Sequence, residues 1–89
     1  MKIQISKRFV KDTQAINDKR ILAKIQQVLI QAQTADDVQG INDLEEMSGH
    51  PNYYRIKFDY RYRIGIFCTG DVLEFLRVGS RESFYKKFP

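Results

Sequence analysis

The residues Tyr53-Tyr54-Arg55-Ile56-Lys57-Phe58, Asp59-Tyr60 and Arg61-Tyr62-Arg63-Ile64-Gly65-Ile66-Phe67 alternate in character on both sides of a short break. Tyr54, Ile56 and Phe58 share one parity, and Arg55 and Lys57 the other. Beyond Asp59-Tyr60 the apolar set is Tyr62, Ile64 and Ile66, and the cationic set is Arg61 and Arg63. A period of two predicts a pair of strands joined as a hairpin. A chain this short has one core to offer, so both apolar sets turn toward it and the cations share the opposite face. Gly65 inside its strand signals a bulge, a bend, or the close approach of another backbone.

Downstream, Thr69-Gly70-Asp71 reads as a turn, and Val72 to Val78 is apolar on both parities except at Glu74 and Arg77, the pattern of a central strand. Gly79 ends it. Ser80 is placed to cap a last short helix with Glu82 in its first turn, and Lys86 and Lys87 suit its negative end. Arg81 and Tyr85, four apart, share one face of that helix. Upstream of the hairpin, Gly49-His50-Pro51-Asn52 is a turn that leaves His50 in a solvent-exposed loop. The segment from Gln33 to Gly49 carries Asp36, Asp37, Asp43, Glu45 and Glu46 and no cation. It reads as a solvated connector with one helical turn capped by Thr34, pinned by Val38, Ile41, Leu44 and Met47.

At the N-terminus, Ile3 and Ile5 mark an opening strand. Ser6 can cap a helix bearing Phe9, Thr13 and Ile16 on one stripe. Asn17-Asp18 interrupts, and a longer helix starts at Lys19 with Ile21, Leu22, Ile25, Val28, Leu29 and Ala32 along one side. So short a break predicts a helical hairpin lying on the sheet. The fold class is α+β: an N-terminal strand and helical hairpin on a twisted, mainly antiparallel four-stranded sheet, with a short C-terminal helix near its open face.

Composition narrows the function classes. The 89 residues make one domain, 1–89, and 43% hydrophobic content argues against disorder. Cys68 is the sole cysteine, which excludes an internal disulfide, and no Cys/His set reaches a metal-ligand count. Neither a metal nor a cofactor is expected, and the absence of a long apolar run predicts no membrane contact and a reduced, cytoplasmic setting. The net charge of +4 is unevenly spread. Residues 1–52 hold seven cations and seven acids, whereas residues 53–89 hold eight cations and four acids. A local cationic surface on a small domain points to a polyanion or an acidic protein partner.

The order of elements resembles the RelE/ParE superfamily of bacterial toxin–antitoxin proteins over essentially the whole chain. The resemblance is carried by Tyr54-Arg-Ile-Lys57, Tyr62-Arg-Ile-Gly65 and Val78-Gly-Ser-Arg-Glu-Ser-Phe-Tyr85. The first two occur in both branches, whereas a Gly-x-Arg run followed by Tyr after the last strand is similar to the RelE branch. That branch cleaves mRNA in the ribosomal A site with cations of the middle hairpin and a C-terminal Arg and Tyr. By motif these fall on Arg55 and Lys57, Arg63, Arg81 and Tyr85, with Arg standing at the first position where some members have Lys. The resemblance implies a cognate antitoxin as partner, mRNA in the ribosomal A site as substrate, and a toxin monomeric alone that joins a larger assembly with its antitoxin.

RNA is cut without an external nucleophile when its 2′-hydroxyl attacks the adjacent phosphate in line with the departing 5′-oxygen. The protein must then move protons and stabilise charge on the phosphorane. Arg63 and Arg81 suit forked contacts to the scissile phosphate. Lys57, among like charges, and Tyr85, beside cations that favour a phenolate, are both candidates for carrying the proton. Arg55 and Arg61 suit the RNA backbone, and Tyr60 a base. No paired histidines and no carboxylate are expected on the cationic face. Two other readings belong to different classes: a ParE-like toxin that inhibits DNA gyrase without nuclease activity, and an inactive binding member of the fold.

Overall fold

A computed structural model describes residues 1–89. The elements are β1 (Lys2–Ile5), α1 (Lys7–Gln14), α2 (Lys19–Thr34), a 3-10 turn (Val38–Gly40), β2 (Leu44–Glu46), β3 (Tyr53–Phe58), β4 (Tyr62–Thr69), β5 (Val72–Ser80) and α3 (Arg81–Lys87). The strands form one sheet in the order β1-β5-β4-β3-β2, with β1 and β5 parallel and the other pairs antiparallel.

Local signals place the helices. The Ser6 hydroxyl accepts the Phe9 N–H at 3.0 Å, starting α1, and Asp18 accepts the Arg20 N–H at 2.9 Å, starting α2. One apolar stripe from each helix then meets the apolar parity of the hairpin. Phe9, Ile21, Ile25 and Ala32 pack against Ile56, Ile64, Ile66, Leu73, Phe75 and Val78, with Ile41 closing the side. Each large side chain taken from water here contributes about 1.5–3 kcal/mol. Phe9 and Phe75 meet edge to face, with ring centroids 5.7 Å apart.

The sheet has five strands where the pattern predicts four. The addition is β2, inside the acidic connector, which pairs Leu44 with Ile56, Glu45 with Arg55 and Glu46 with Tyr54. Three residues, two of them acidic, give no strand signal of their own; they are extended because β3 offers an edge. The connector's helical turn is present, but Asp37 caps it by accepting the Gln39 N–H. Thr34 instead ends α2, its hydroxyl donating back to the Ile30 and Gln31 carbonyls. Ser80 precedes α3 but makes no side-chain cap bond; its hydroxyl meets Ser83 Oγ at 3.2 Å.

α3 covers the sheet face opposite the helical hairpin. Of the three possibilities at Gly65 the bulge holds, since the β4–β5 register shifts between Gly65 and Ile66; what approaches closely is no backbone but the Phe88 ring, 2.5 Å from where a Cβ would stand. Phe84 and Phe88 are buried there, 5.0 Å apart between centroids, and Phe88 meets Tyr53 at 5.7 Å. No helix is long and apolar enough to cross a membrane.

Candidate functional site

The hairpin register puts Lys57 directly across from Arg63, and Arg55 across from Gly65. Arg55, Lys57 and Arg63 therefore share the face that α3 crosses. Arg61 falls outside this set, because β4 begins at Tyr62 and Arg61 closes the turn.

That turn is held from two directions, by α2 and by Arg63. Asp59 and Tyr60 both have positive φ, 47° and 62°. An Asp tolerates this region; a Tyr does so at a cost of about 1–2 kcal/mol. The Asp59 carboxylate accepts from Lys24 Nζ at 2.6 Å and Arg20 Nη1 at 3.4 Å, tying the turn to α2. The Lys24 hydrogen bond, assisted by the charges of Lys24 and Arg20, outweighs desolvation and holds the Asp59 carboxyl below its usual pKa. The Tyr60 carbonyl accepts from Arg63. Thus fixed, the Tyr60 ring stands 88% exposed at the tip.

Arg63 is only 7% exposed. Its Nη1 donates to the carbonyls of Tyr60 at 3.2 Å and Tyr62 at 2.9 Å, its Nε has no partner, and no carboxylate pairs with it. A buried cation without a counter-ion is costly unless an anion supplies the missing charge. Arg55 is treated differently. Its Nη2 reaches Glu45 at 3.3 Å, its Nη1 donates to the Tyr85 hydroxyl at 2.6 Å, and its guanidinium carbon stands 5.8 Å from the Tyr85 ring centroid. Glu45 thus puts a carboxylate at the rim of the cationic face, contrary to the expectation of none. Its signal was present as an acid in the connector, but the facing partner depends on the β2–β3 register.

α3 completes the arrangement. The Arg81 backbone N–H donates to the Arg61 carbonyl at 2.6 Å, so the helix starts against the hairpin turn. Arg81 is exposed there, as is Tyr85 one turn on. Glu82 also belongs to this corner; its own backbone N–H, then the charges of Arg61 and Arg81, hold its carboxyl below the ordinary value. Lys57 makes no ion pair and borders a groove of about 300 Å³ with Lys24, Gln27, Gln31 and Asn42. The geometry joins Arg55 to Tyr85, Arg61 to Arg81 and Lys57 to Arg63, and leaves these three pairs without direct bonds to one another.

His50 is exposed in its turn, edge-on to Tyr53 at 6.4 Å. Burial pushes the Cys68 thiol above its usual pKa, which makes it a poor nucleophile, and it packs against the core. No group of three His, Cys, Asp or Glu side chains is placed to hold a metal ion.

No family model matches the chain. A curated relative does: Toxin RelE3 of Methanocaldococcus jannaschii is 36% identical over the full length of both chains. Among solved structures, the RelB–RelE antitoxin–toxin complex from Methanococcus jannaschii contains a chain that is 34% identical, with a TM-score of 0.82 over 97% of this chain and 99% of that one. The intact E. coli RelBE toxin–antitoxin complex aligns at 16% identity with a TM-score of 0.70, over 89% and 94% of the two chains, a likeness of fold. Full-length identity to RelE3, carried on the same five-stranded scaffold, places this chain in the RelE family of toxins.

Proposed function

We propose that this RelE-type toxin cuts mRNA held in the ribosomal A site, and that a cognate antitoxin restrains it by laying an acidic or amphipathic segment across the cationic face. The observation that carries the reading is Arg63, a residue only 7% exposed whose buried Nε has no partner and which has no acid beside it. An anion on that face gains its charge without first displacing a carboxylate.

In the reaction, the 2′-oxygen bonds to the adjacent phosphorus and the bond to the 5′-oxygen breaks, leaving a cyclic phosphate and a 5′-hydroxyl. The charge gathered on the phosphorane falls to Arg63 and Arg81. Lys57, opposite Arg63, is the candidate for taking the 2′-hydroxyl proton. Tyr85 accepts a hydrogen bond from Arg55 through its oxygen, which leaves its own O–H free to protonate the departing 5′-oxygen. Arg55 and Arg61 hold the backbone, and Tyr60 offers an exposed ring to a base. Because none of these groups distorts RNA by itself, in-line geometry comes from the ribosome.

Primer-extension mapping after induced expression tests this. Codon-phased cuts in translated messages are expected, lost in Arg63→Ala and Arg81→Ala while both variants stay folded. Intact mRNA with DNA damage would instead indicate gyrase inhibition, and equal cutting of naked and ribosome-bound RNA would remove the ribosome from the mechanism.

A further inference from the structure

α3 carries Arg81 and Tyr85 but has only seven residues, too few to hold a fixed position unaided. Its inner side chain Phe84, and Phe88 just past its end, set its distance from the sheet. They leave open what stops it from swinging about that contact.

The stop lies at the edge of β5. β1 pairs only with Val72 to Phe75 and ends at Ile5, so β5 runs on with its outer edge unpaired. α1 fills that vacancy with side chains. Ser6 donates to the Leu76 carbonyl at 2.9 Å, and the Asp12 carboxylate accepts the Val78 N–H at 3.0 Å. Asp12 also accepts from Arg77 through Nε at 2.9 Å and Nη2 at 3.0 Å. Its fourth donor is Lys87 Nζ at 3.2 Å, from the last residue of α3, and Lys87 donates as well to the Val78 carbonyl at 3.1 Å. The Asp12 side chain is 10% exposed, and Arg77 and Lys87 are the charged groups that face it from β5 and α3. Phe9, one helical step before Asp12, is in the core, which fixes α1 and therefore the carboxylate.

The geometry points to Asp12 as a positioning residue for the candidate site: through Lys87 it clamps the C-terminal end of α3 to β5 and so sets where Tyr85 and Arg81 stand over the hairpin. This rests on the ribonuclease reading of that site. Asp12 touches no reacting atom; it acts by removing one direction of motion from the helix. A misplacement on the order of 1 Å at a reacting group costs about 100-fold in rate, so a loosened clamp is read in kcat.

The test uses purified protein with ribosomes programmed with mRNA, and Asp12→Asn, Lys87→Met, Lys87→Arg and the exposed control Lys86→Met. Lys87→Met keeps the Asp12–Arg77 pair and cuts only the tie to α3. Asp12→Asn and Lys87→Met are expected to lower kcat by about 10- to 100-fold at unchanged KM, with Lys87→Arg, which keeps the charge, less affected than Lys87→Met, and Lys86→Met within about twofold of wild type. Hydrogen exchange of residues 82–88 should quicken in the first two variants while the β3 and β4 amides keep their protection. Wild-type exchange across α3 in Lys87→Met, or a loss of KM alone, overturns the inference. Should the wild-type protein fail to cut ribosome-bound mRNA, the ribonuclease reading falls, and the exchange measurement alone still decides whether the clamp exists.

Discussion

At the scale of single residues, the role proposed for Arg63 sets function against stability. Alternation along Tyr62 to Ile66 places it on the cationic face, but its burial is invisible in the sequence because α3, arriving eighteen residues later, supplies the cover. The same holds for its lack of a counter-ion: Glu45 is present and spends its charge on Arg55. A buried unpaired cation opposes folding, and its hydrogen bonds go only to the carbonyls of Tyr60 and Tyr62. Arg63→Met keeps the length and apolar stem of the side chain and removes the charge. Thermal unfolding should show a Tm equal to or above wild type, while cleavage of ribosome-bound mRNA falls by about 100-fold or more. A Tm well below wild type would mean that Arg63 is a structural residue. Tyr60 has the same character: an exposed aromatic held at φ 62° stores strain that a glycine would relieve.

At the scale of elements, legibility followed the length and amphipathicity of each segment. α1 was readable because it carries its cap and its stripe, α2 by its stripe alone, its Asp18 cap having read only as a break, and β3 and β4 because their alternation has one outcome in a chain with one core. β2 was not readable, since its extended form is imposed by the free edge of β3. Asp12 drew no reading from the sequence, although an acid three residues after the buried Phe9 lies toward the apolar stripe and needs a partner. That partner is Arg77, sixty-five residues away, and no local rule reports it. Gly65 signals an irregularity in β4 but not what packs on it, and the seating of α3 and Phe88 there yields a prediction. Alanine at Gly65 puts a methyl 2.5 Å from the Phe88 ring and forces the ring out, at a cost of about 1–3 kcal/mol. The alanine at Gly79 meets Ser83 Oγ at 2.9 Å, Lys87 Nζ at 3.1 Å and Lys87 Cε at 3.3 Å, overlaps that a shift of a few tenths of an ångström relieves, and costs less. Urea unfolding should rank Gly65→Ala below Gly79→Ala. Gly65→Ala combined with Phe88→Ala should lose less than the sum of the two, because the clash is absent once the ring is gone.

At the scale of the whole molecule, charge is sorted between the two ends of the chain and then stitched together by a few acids. The neutral first half lends Asp12 to Arg77 and Lys87, and Glu45 to Arg55; in return the cationic half lends Asp59 to Lys24 and Arg20. Burial works against the ionised form of Asp12, but hydrogen bonds from Arg77, the Val78 N–H and Lys87 outweigh it, so the carboxyl lies below its usual pKa. Arg77 is shifted upward by the same contact, chiefly the hydrogen bond to Asp12. A carboxyl whose folded value is depressed binds fewer protons in the native state than in the unfolded chain. Its stabilisation is complete above the unfolded value of about 4 and is lost as pH falls through the folded value. Asp12, Asp59 and Glu82 all obey that sign, so the urea midpoint should be flat from pH 7 to about pH 5 and drop below about pH 4. Salt separates the contributions of the two aspartates. The Lys24 side chain is 38% exposed and its pair with Asp59 is screened, whereas the Asp12 cluster is sheltered between α1, β5 and α3. Repeating the titration in roughly 0.5 M salt should therefore remove the share of Asp59 and leave that of Asp12. Asp12→Asn should lower the midpoint at pH 7 and shrink the acid drop that persists in salt. An acid drop unchanged by Asp12→Asn would show that the clamp between α1 and α3 adds nothing to the fold.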